Sequence, residues 1–337
     1  MNKNESQFLK TMGPVLFHYD LQPTHITSKG NVHKLVTHYG TFALKRTTMT
    51  QEQAEWFVHV MRKLERIDFP FFVPVLPTKY GDYTVFDGQF IYYLMPWYED
   101  HHTFRHGSDP EEALLEELAK LHGLTERSRD TEAQPLEKSF QQLKERWDLR
   151  KLEMEKYIDE MEKHTYYSPF ELTLLTHFER TKQVAAEAEK YLEKWLDTAK
   201  DKKHQRTVLC HGRPNRSHAC FDEYGTAYFI NFERAVQDTP ARDTALLFRH
   251  LFQVRPWDEH DGKHWLSIYE KHFAFFDDEK YLFMSYLLFP ENIYQMVDHF
   301  KSPSRQKSEM HLVMQLERRL LTMKRIFRFV NSISKPS

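Results

Sequence analysis

A chain of 337 residues with 40% hydrophobic and 15% aromatic side chains is long enough for two lobes and too apolar to be disordered. Its 47 basic and 49 acidic residues nearly cancel, which excludes an extended basic field and, with it, nucleic acid as the main partner. The stretch MNKNESQFLK has no secretory core and no run of about 18 apolar residues occurs, so cytoplasmic synthesis and no membrane span are expected.

Residues 30–48, GNVHKLVTHYGTFALKRTT, read as two β-runs that turn near Tyr39 and Gly40. Thr50 and Gln53 have capping-box spacing, and Ala54, Phe57, Val60, Met61 and Leu64 recur on one face, so a helix starts at Thr50. Beyond Pro70 lie short strand candidates at 72–76, 82–86 and 89–95. Asp109 predicts an N-cap, Pro110 the first helical position, and Glu111 and Glu112 complement the helix dipole. ALLEELAKLHGL continues that helix. Residues 136–165 and 168–200 are long charge-laced amphipathic helices, the second opened by Ser168 and Pro169. Further helices fill 241–332. The two cysteines, Cys210 and Cys220, suit a reducing compartment without a disulfide framework. Protonation of the 20 histidines makes this near-neutral chain cationic below about pH 6.

The most informative stretch is 209–233, LCHGRPNRSHACFDEYGTAYFINFE. It is similar to a block of aminoglycoside-phosphotransferase-type small-molecule kinases: His-Gly-Asp-x-x-x-x-Asn, a short hairpin, then Ile-Asp-x-Glu. Laid over that frame without a gap, His211, Gly212, Ile230 and Glu233 match. Arg213 stands at the catalytic Asp, His218 at the metal-binding Asn and Asn231 at the second metal-binding Asp. Downstream, Pro240, Asp243 and Ala245 match the family's continuation, with Asp243 expected to cap a helix or bond the loop backbone. Upstream, Leu121 and His122 match its Leu-His helix.

Taken together the chain resembles the spore coat protein S family of endospore formers, in its YutH-like branch, within the aminoglycoside-phosphotransferase and choline-kinase superfamily. The resemblance implies an α+β, bilobal protein-kinase-like fold. A small antiparallel β lobe with one helix would span 1–97, with a hinge at Met95, Pro96 and Trp97. A large helical lobe over 98–337 would carry the degenerate loop at 209–233. It also implies synthesis in the mother cell, association with the spore coat, coat proteins as partners, a nucleotide or small hydroxylated ligand, and ATP with Mg²⁺ as cofactors.

In such folds a strand lysine holds the phosphates and a helix carboxylate orients it, which points to Lys45, with Glu52 or Gln53 as its partner and Met95 at the nucleotide hinge. Arg213 cannot accept a proton, and loss of a general base costs roughly 10²–10⁴-fold. Asn231 is neutral where magnesium prefers charge, and His218 offers nitrogen to a hard ion. Asn215 is a stand-in for the displaced amide only if the loop changes shape. Arg213 has the chemistry to pair with Glu233 or to hold a phosphate-like anion. No GxGxxG occurs among the ten glycines. The first reading is a pseudokinase that serves as a binding or assembly component. The second is a divergent kinase acting on a small-molecule hydroxyl, with Glu233 and His218 reworked into an unusual metal site; His211, Arg213 and Glu233 are the candidate catalytic positions. The third is a ligand-free scaffold that displays aromatic runs at 71–72, 166–167 and 273–276.

Overall fold

The structure, a computed structural model, describes residues 3–104, 109–130, 132–302 and 308–334. In chain order these form α1 (Lys3–His18), β1 (His25–Lys29), β2 (Val32–Thr37), β3 (Gly40–Thr47), α2 (Gln51–Arg66), β4 (Val85–Phe86) and β5 (Ile91–Pro96). Then follow α3 (Pro110–Thr125), β6 (Arg127–Asp130), α4 (Ala133–Met161), α5 (Pro169–Lys200), β7 (His204–Cys210), β8 (Ala219–Phe221), β9 (Ala227–Phe229) and β10 (Val236–Asp238). The chain ends in α6 (Pro240–Val254), α7 (Glu259–His272), α8 (Asp277–Leu288), α9 (Glu291–Lys301) and α10 (Glu309–Ile333). Short 3₁₀ turns at Arg216–His218 and Phe232–Arg234 bracket the β8–β9 hairpin. The class is α+β, a small antiparallel sheet lobe with a large helical one. No helix among the described residues is long and apolar enough to cross a membrane.

Two compact units result: Met1–Glu117 with His211–Val236, and Leu118–Cys210 with Gln237–Ser337. The expected cut at residue 97 differs from this division, because the first unit runs on to Glu117 and takes in the 211–236 segment.

In the first unit the sheet order is β1-β2-β3-β5-β4. All its pairings are antiparallel, with Lys45 opposite Tyr93 and Ala43 opposite Met95. Side chains alternate along a strand. One face therefore carries Leu35, Leu44, Tyr92 and Leu94, which pack with Met12, Val15 and Leu16 of α1. The opposite face carries Ala43, Lys45, Tyr93 and Met95. The predicted apolar face of α2 is buried, and Phe57 lies 4.8 Å from the Tyr93 ring. Burial of one such side chain contributes about 1.5–3 kcal/mol. Thr50 closes the predicted capping box with Gln53.

The strand expected at 72–76 does not form. Pro74 and Pro77 lack the amide hydrogens a ladder needs, so only bridges at Phe72–Phe229 and Leu76–Leu94 survive. The strand expected at 82–86 shrinks to Val85–Phe86. By contrast α1, β1 and β6 have no counterpart in the sequence reading. The β6 residues RSRD are all exposed and are held only by pairing with β7, so no apolar periodicity marks them.

The second unit is built from the predicted long helices. Ser168 caps α5 through a capping box with Glu171, and α5 packs against α8, α10 and α4. Of the aromatic runs, Phe273 is buried, whereas Tyr166 and Phe276 are exposed. Cys210 and Cys220 are both free thiols.

Candidate functional site

The site lies wholly in the first unit and begins with the cross-strand pair Lys45 and Tyr93. Lys45 Nζ donates to Asn231 Oδ1 at 2.5 Å and meets Glu233 Oε1 at 2.7 Å. The Tyr93 hydroxyl donates to the same Oε1 at 2.8 Å. Burial first, and then the Glu233 charge, push the Tyr93 phenol well above its ordinary range, so it stays a donor. The lysine and the glutamate side chains are only 14% and 23% exposed, so this is a largely desolvated ion pair with two added hydrogen bonds.

That geometry corrects the expected lysine partner. Glu52 and Gln53 are both exposed, and Gln53 is spent on the helix cap, its Oε1 accepting the Thr50 N–H at 2.9 Å. The N3 position that makes Gln53 a capping residue turns it away from the sheet face. Glu233 is the carboxylate that holds Lys45. Met95 is buried in β5 on the same sheet face.

Three backbone devices place the polar residues. Asn231 adopts a left-handed conformation, φ 69°, which asparagine tolerates, and starts the Phe232–Arg234 turn. Trp56 Nε1–H donates to Ala235 O at 2.6 Å and ties α2 to the end of that turn. Gly212, at φ 81°, lies so close to the same turn that an added Cβ would fall 2.0 Å from Arg234 O.

His211 is fully buried. Its Nε2 lies 2.8 Å from Ile230 O and must carry the hydrogen, while Nδ1 accepts the Arg213 N–H at 3.2 Å. Both nitrogens thus bind backbone, so His211 positions the loop and has no free lone pair for catalysis. The alternative amide is also spent: Asn215 Oδ1 accepts from the N–H and the hydroxyl of Ser217 at 2.9 and 2.6 Å. Nor does Arg213 pair with Glu233, which Lys45 has taken. Arg213 is exposed, and its guanidinium has no bonding partner among the described residues.

His218 follows in the first 3₁₀ turn, and its Nδ1 is buried without a hydrogen-bond partner. Its imidazole is pushed down to about 3, by burial first and then by His211 and the cations Arg213, Lys45 and Arg234. It is therefore neutral at physiological pH.

These donors do not fit a magnesium site. Mg²⁺ requires near-octahedral oxygen ligands at about 2.0–2.1 Å. Here Asn231 Oδ1 accepts from the Lys45 ammonium, Glu233 Oε1 is shared by that ammonium and the Tyr93 phenol, and the third position supplies an imidazole nitrogen.

Sequence reasoning missed Tyr93, Trp56 and Arg234. Tyr93 was findable only with the β3–β5 register, which puts it beside Lys45. In the second unit Thr239, not Asp243, supplies the cap of α6, one of the two roles expected of Asp243. Asp243 is fully buried near His122 and Cys210, their ligand-type atoms within 4.8 Å of one another. His122 Nδ1 meets the Tyr269 hydroxyl at 2.6 Å, and its Nε2 is 3.6 Å from Asp243.

A sequence profile described as "Spore coat putative kinase YutH" matches residues 15–333. No curated protein matches the chain in sequence. Among solved structures, an aminoglycoside phosphotransferase from Alicyclobacillus acidocaldarius superposes with a TM-score of 0.78 at 18% identity, over 94% of this chain and 93% of that one. A spectinomycin phosphotransferase in its AMP-bound complex gives 0.61 at 11% identity, over 98% and 99%. A microcompartment-associated aminopropanol kinase gives 0.55 at 13% identity, over 96% and 98%. Such low identities establish the kinase-like fold and nothing further.

Proposed function

Because the chain belongs to the spore coat YutH family and has a kinase-like fold, we propose that it has given up phosphoryl transfer and works as a binding or assembly component of the spore coat. The observation that carries this reading is the closed Lys45–Glu233–Tyr93–Asn231 network beside Arg213. Phosphoryl transfer needs a base for the acceptor hydroxyl and a metal on the phosphates. At 213 there is a guanidinium, and the sole carboxylate of the network is bound to Lys45. The nucleotides in the AMP-bound relative, and in an amicoumacin kinase complex with AMP-PNP and Ca²⁺, make a nucleotide the first ligand to test.

The test is Mg-ATP hydrolysis, and transfer to choline, homoserine and an aminoglycoside, by purified protein. The expected rate lies at least about 10³-fold below the roughly 1 s⁻¹ at the low end for kinases. Turnover near 1 s⁻¹ overturns the reading in favour of a divergent kinase of a small-molecule hydroxyl. The Arg213→Asp, Asn231→Asp double variant then separates the two cases: a pseudokinase gains Mg²⁺-dependent nucleotide binding or activity, whereas a working unusual enzyme loses activity. For the location, a fluorescent fusion in a sporulating cell should ring the developing spore, and a diffuse mother-cell signal counts against coat association.

A further inference from the structure

The disagreement between the site and magnesium has a constructive side. Three cations, Lys45, Arg213 and Arg234, bear on the His218 ring. The network offers one carboxylate against them, Glu233, and Lys45 already holds it. Arg213 and Arg234 are exposed, and neither guanidinium has a bonding partner among the described residues. The half-buried His218 adds a neutral ring whose buried Nδ1 has no hydrogen-bond partner. Measured against the resembled frame, both charge-changing exchanges act in one direction. A carboxylate becomes a guanidinium at 213, and another becomes an amide at 231. Together they add at least the positive charge that one divalent ion would bring.

We infer that this site binds a di- or triphosphate group directly, without a divalent metal, with Arg213 and Arg234 as the anion-gripping residues and Lys45 behind them. A guanidinium presents a planar fork of donors that matches phosphate oxygens two at a time, which the compact ammonium of Lys45 cannot do. Two such forks beside one lysine suit a phosphate chain better than a single carboxylate. The backbone holds this arrangement in place, since Gly212 closes on the Arg234 carbonyl and His211 bridges Ile230 and Arg213. The inference rests on the pseudokinase reading and names the ligand class of the same site.

The same chemistry can come from a nucleotide or from an inorganic phosphate chain, so both are tested. ADP and inorganic tripolyphosphate are titrated calorimetrically into the full chain, once in excess EDTA and once in excess Mg²⁺. Binding in EDTA that is no weaker than in Mg²⁺ is the expected result. Arg213→Ala should weaken it by about tenfold or more, and Arg234→Ala by less, with melting temperatures unchanged. Tighter binding of ADP identifies a nucleotide, and equal binding identifies the phosphate chain itself. Loss of binding in EDTA, no binding under either condition, or indifference to Arg213→Ala overturns the inference. Mg-ATP turnover measured alongside keeps the two claims apart. Metal-dependent binding without turnover sinks the metal-free site and leaves the pseudokinase reading standing. Turnover near 1 s⁻¹ sinks that reading too.

Discussion

His211 and Arg213 sit two residues apart in one loop and live in different physical worlds. His211 is fully buried, with both ring nitrogens bound to backbone groups. The Arg213 side chain is exposed and unbonded among the described residues. The same split runs through the whole segment. Gly212, Ile230 and Phe232 belong to a frame that fixes the path of the chain, whereas Arg213, Ser217 and Arg234 point into solvent. The frame residues match the resembled kinase block or lie beside its matches, while the face has changed its chemistry. A frame held by backbone bonds tolerates new side chains on its open side, because those side chains carry little of the folding energy.

The sharpest way to break that contrast is to attack the frame. Gly212→Ala places a Cβ about where the Arg234 carbonyl oxygen already sits, 2.0 Å away, at a φ of 81° that an alanine rarely adopts. The expected cost is on the order of 3–5 kcal/mol, a large share of a typical stability of about 5–15 kcal/mol. Urea unfolding should show the midpoint collapsing, or the soluble yield falling outright. A loss below about 1 kcal/mol means that the frame is softer than its geometry.

Lys45→Met probes the junction of frame and face. It leaves Glu233 largely desolvated with only the Tyr93 hydroxyl, at an expected cost of about 1–3 kcal/mol, between surface and fully buried pairs. Adding Glu233→Gln should restore part of that loss, since the uncompensated charge disappears. Additive losses in the double variant show that the two side chains do not act as a pair.

His218 gives a smaller, pH-dependent signal. Its folded-state pKa is pushed down to about 3 from an ordinary 6.5, so below about pH 6.5 the unfolded chain takes up a proton that the folded one refuses. Stability therefore falls as pH drops from 6.5 towards 3, and the effect is partial because the ring is not wholly buried. In His218→Asn the melting temperature should decline less between about pH 7 and pH 5 than in the parent chain. Parallel declines mean that other histidines dominate the acid limb.

What the sequence disclosed follows the same division. Elements with apolar periodicity and end signals were legible, such as α2 with its Thr50–Gln53 box and α5 with its Ser168 cap. Elements made by pairing alone were not, since the exposed β6 has no pattern to read. The 211–233 frame was legible because its residue types are dictated by backbone geometry. The Lys45 partner was misassigned because helix position was weighed without strand register, and register is what brings Lys45 beside Tyr93 and Glu233. A capping box and a salt bridge compete for the same side chain, and at Gln53 the cap won.

The smallest effect on folding is expected where the effect on binding is largest. Arg213→Ala removes a guanidinium that bonds to nothing among the described residues, so stability should stay within about 0.5 kcal/mol of the parent. Matched urea titrations test this, and a variant destabilised by more than about 1 kcal/mol places Arg213 in the frame. If the stability is unchanged and the phosphate titration fails, the residue is kept for what it binds. A side chain that contributes nothing to folding in a loop so tightly held is free to be chosen for its ligand alone.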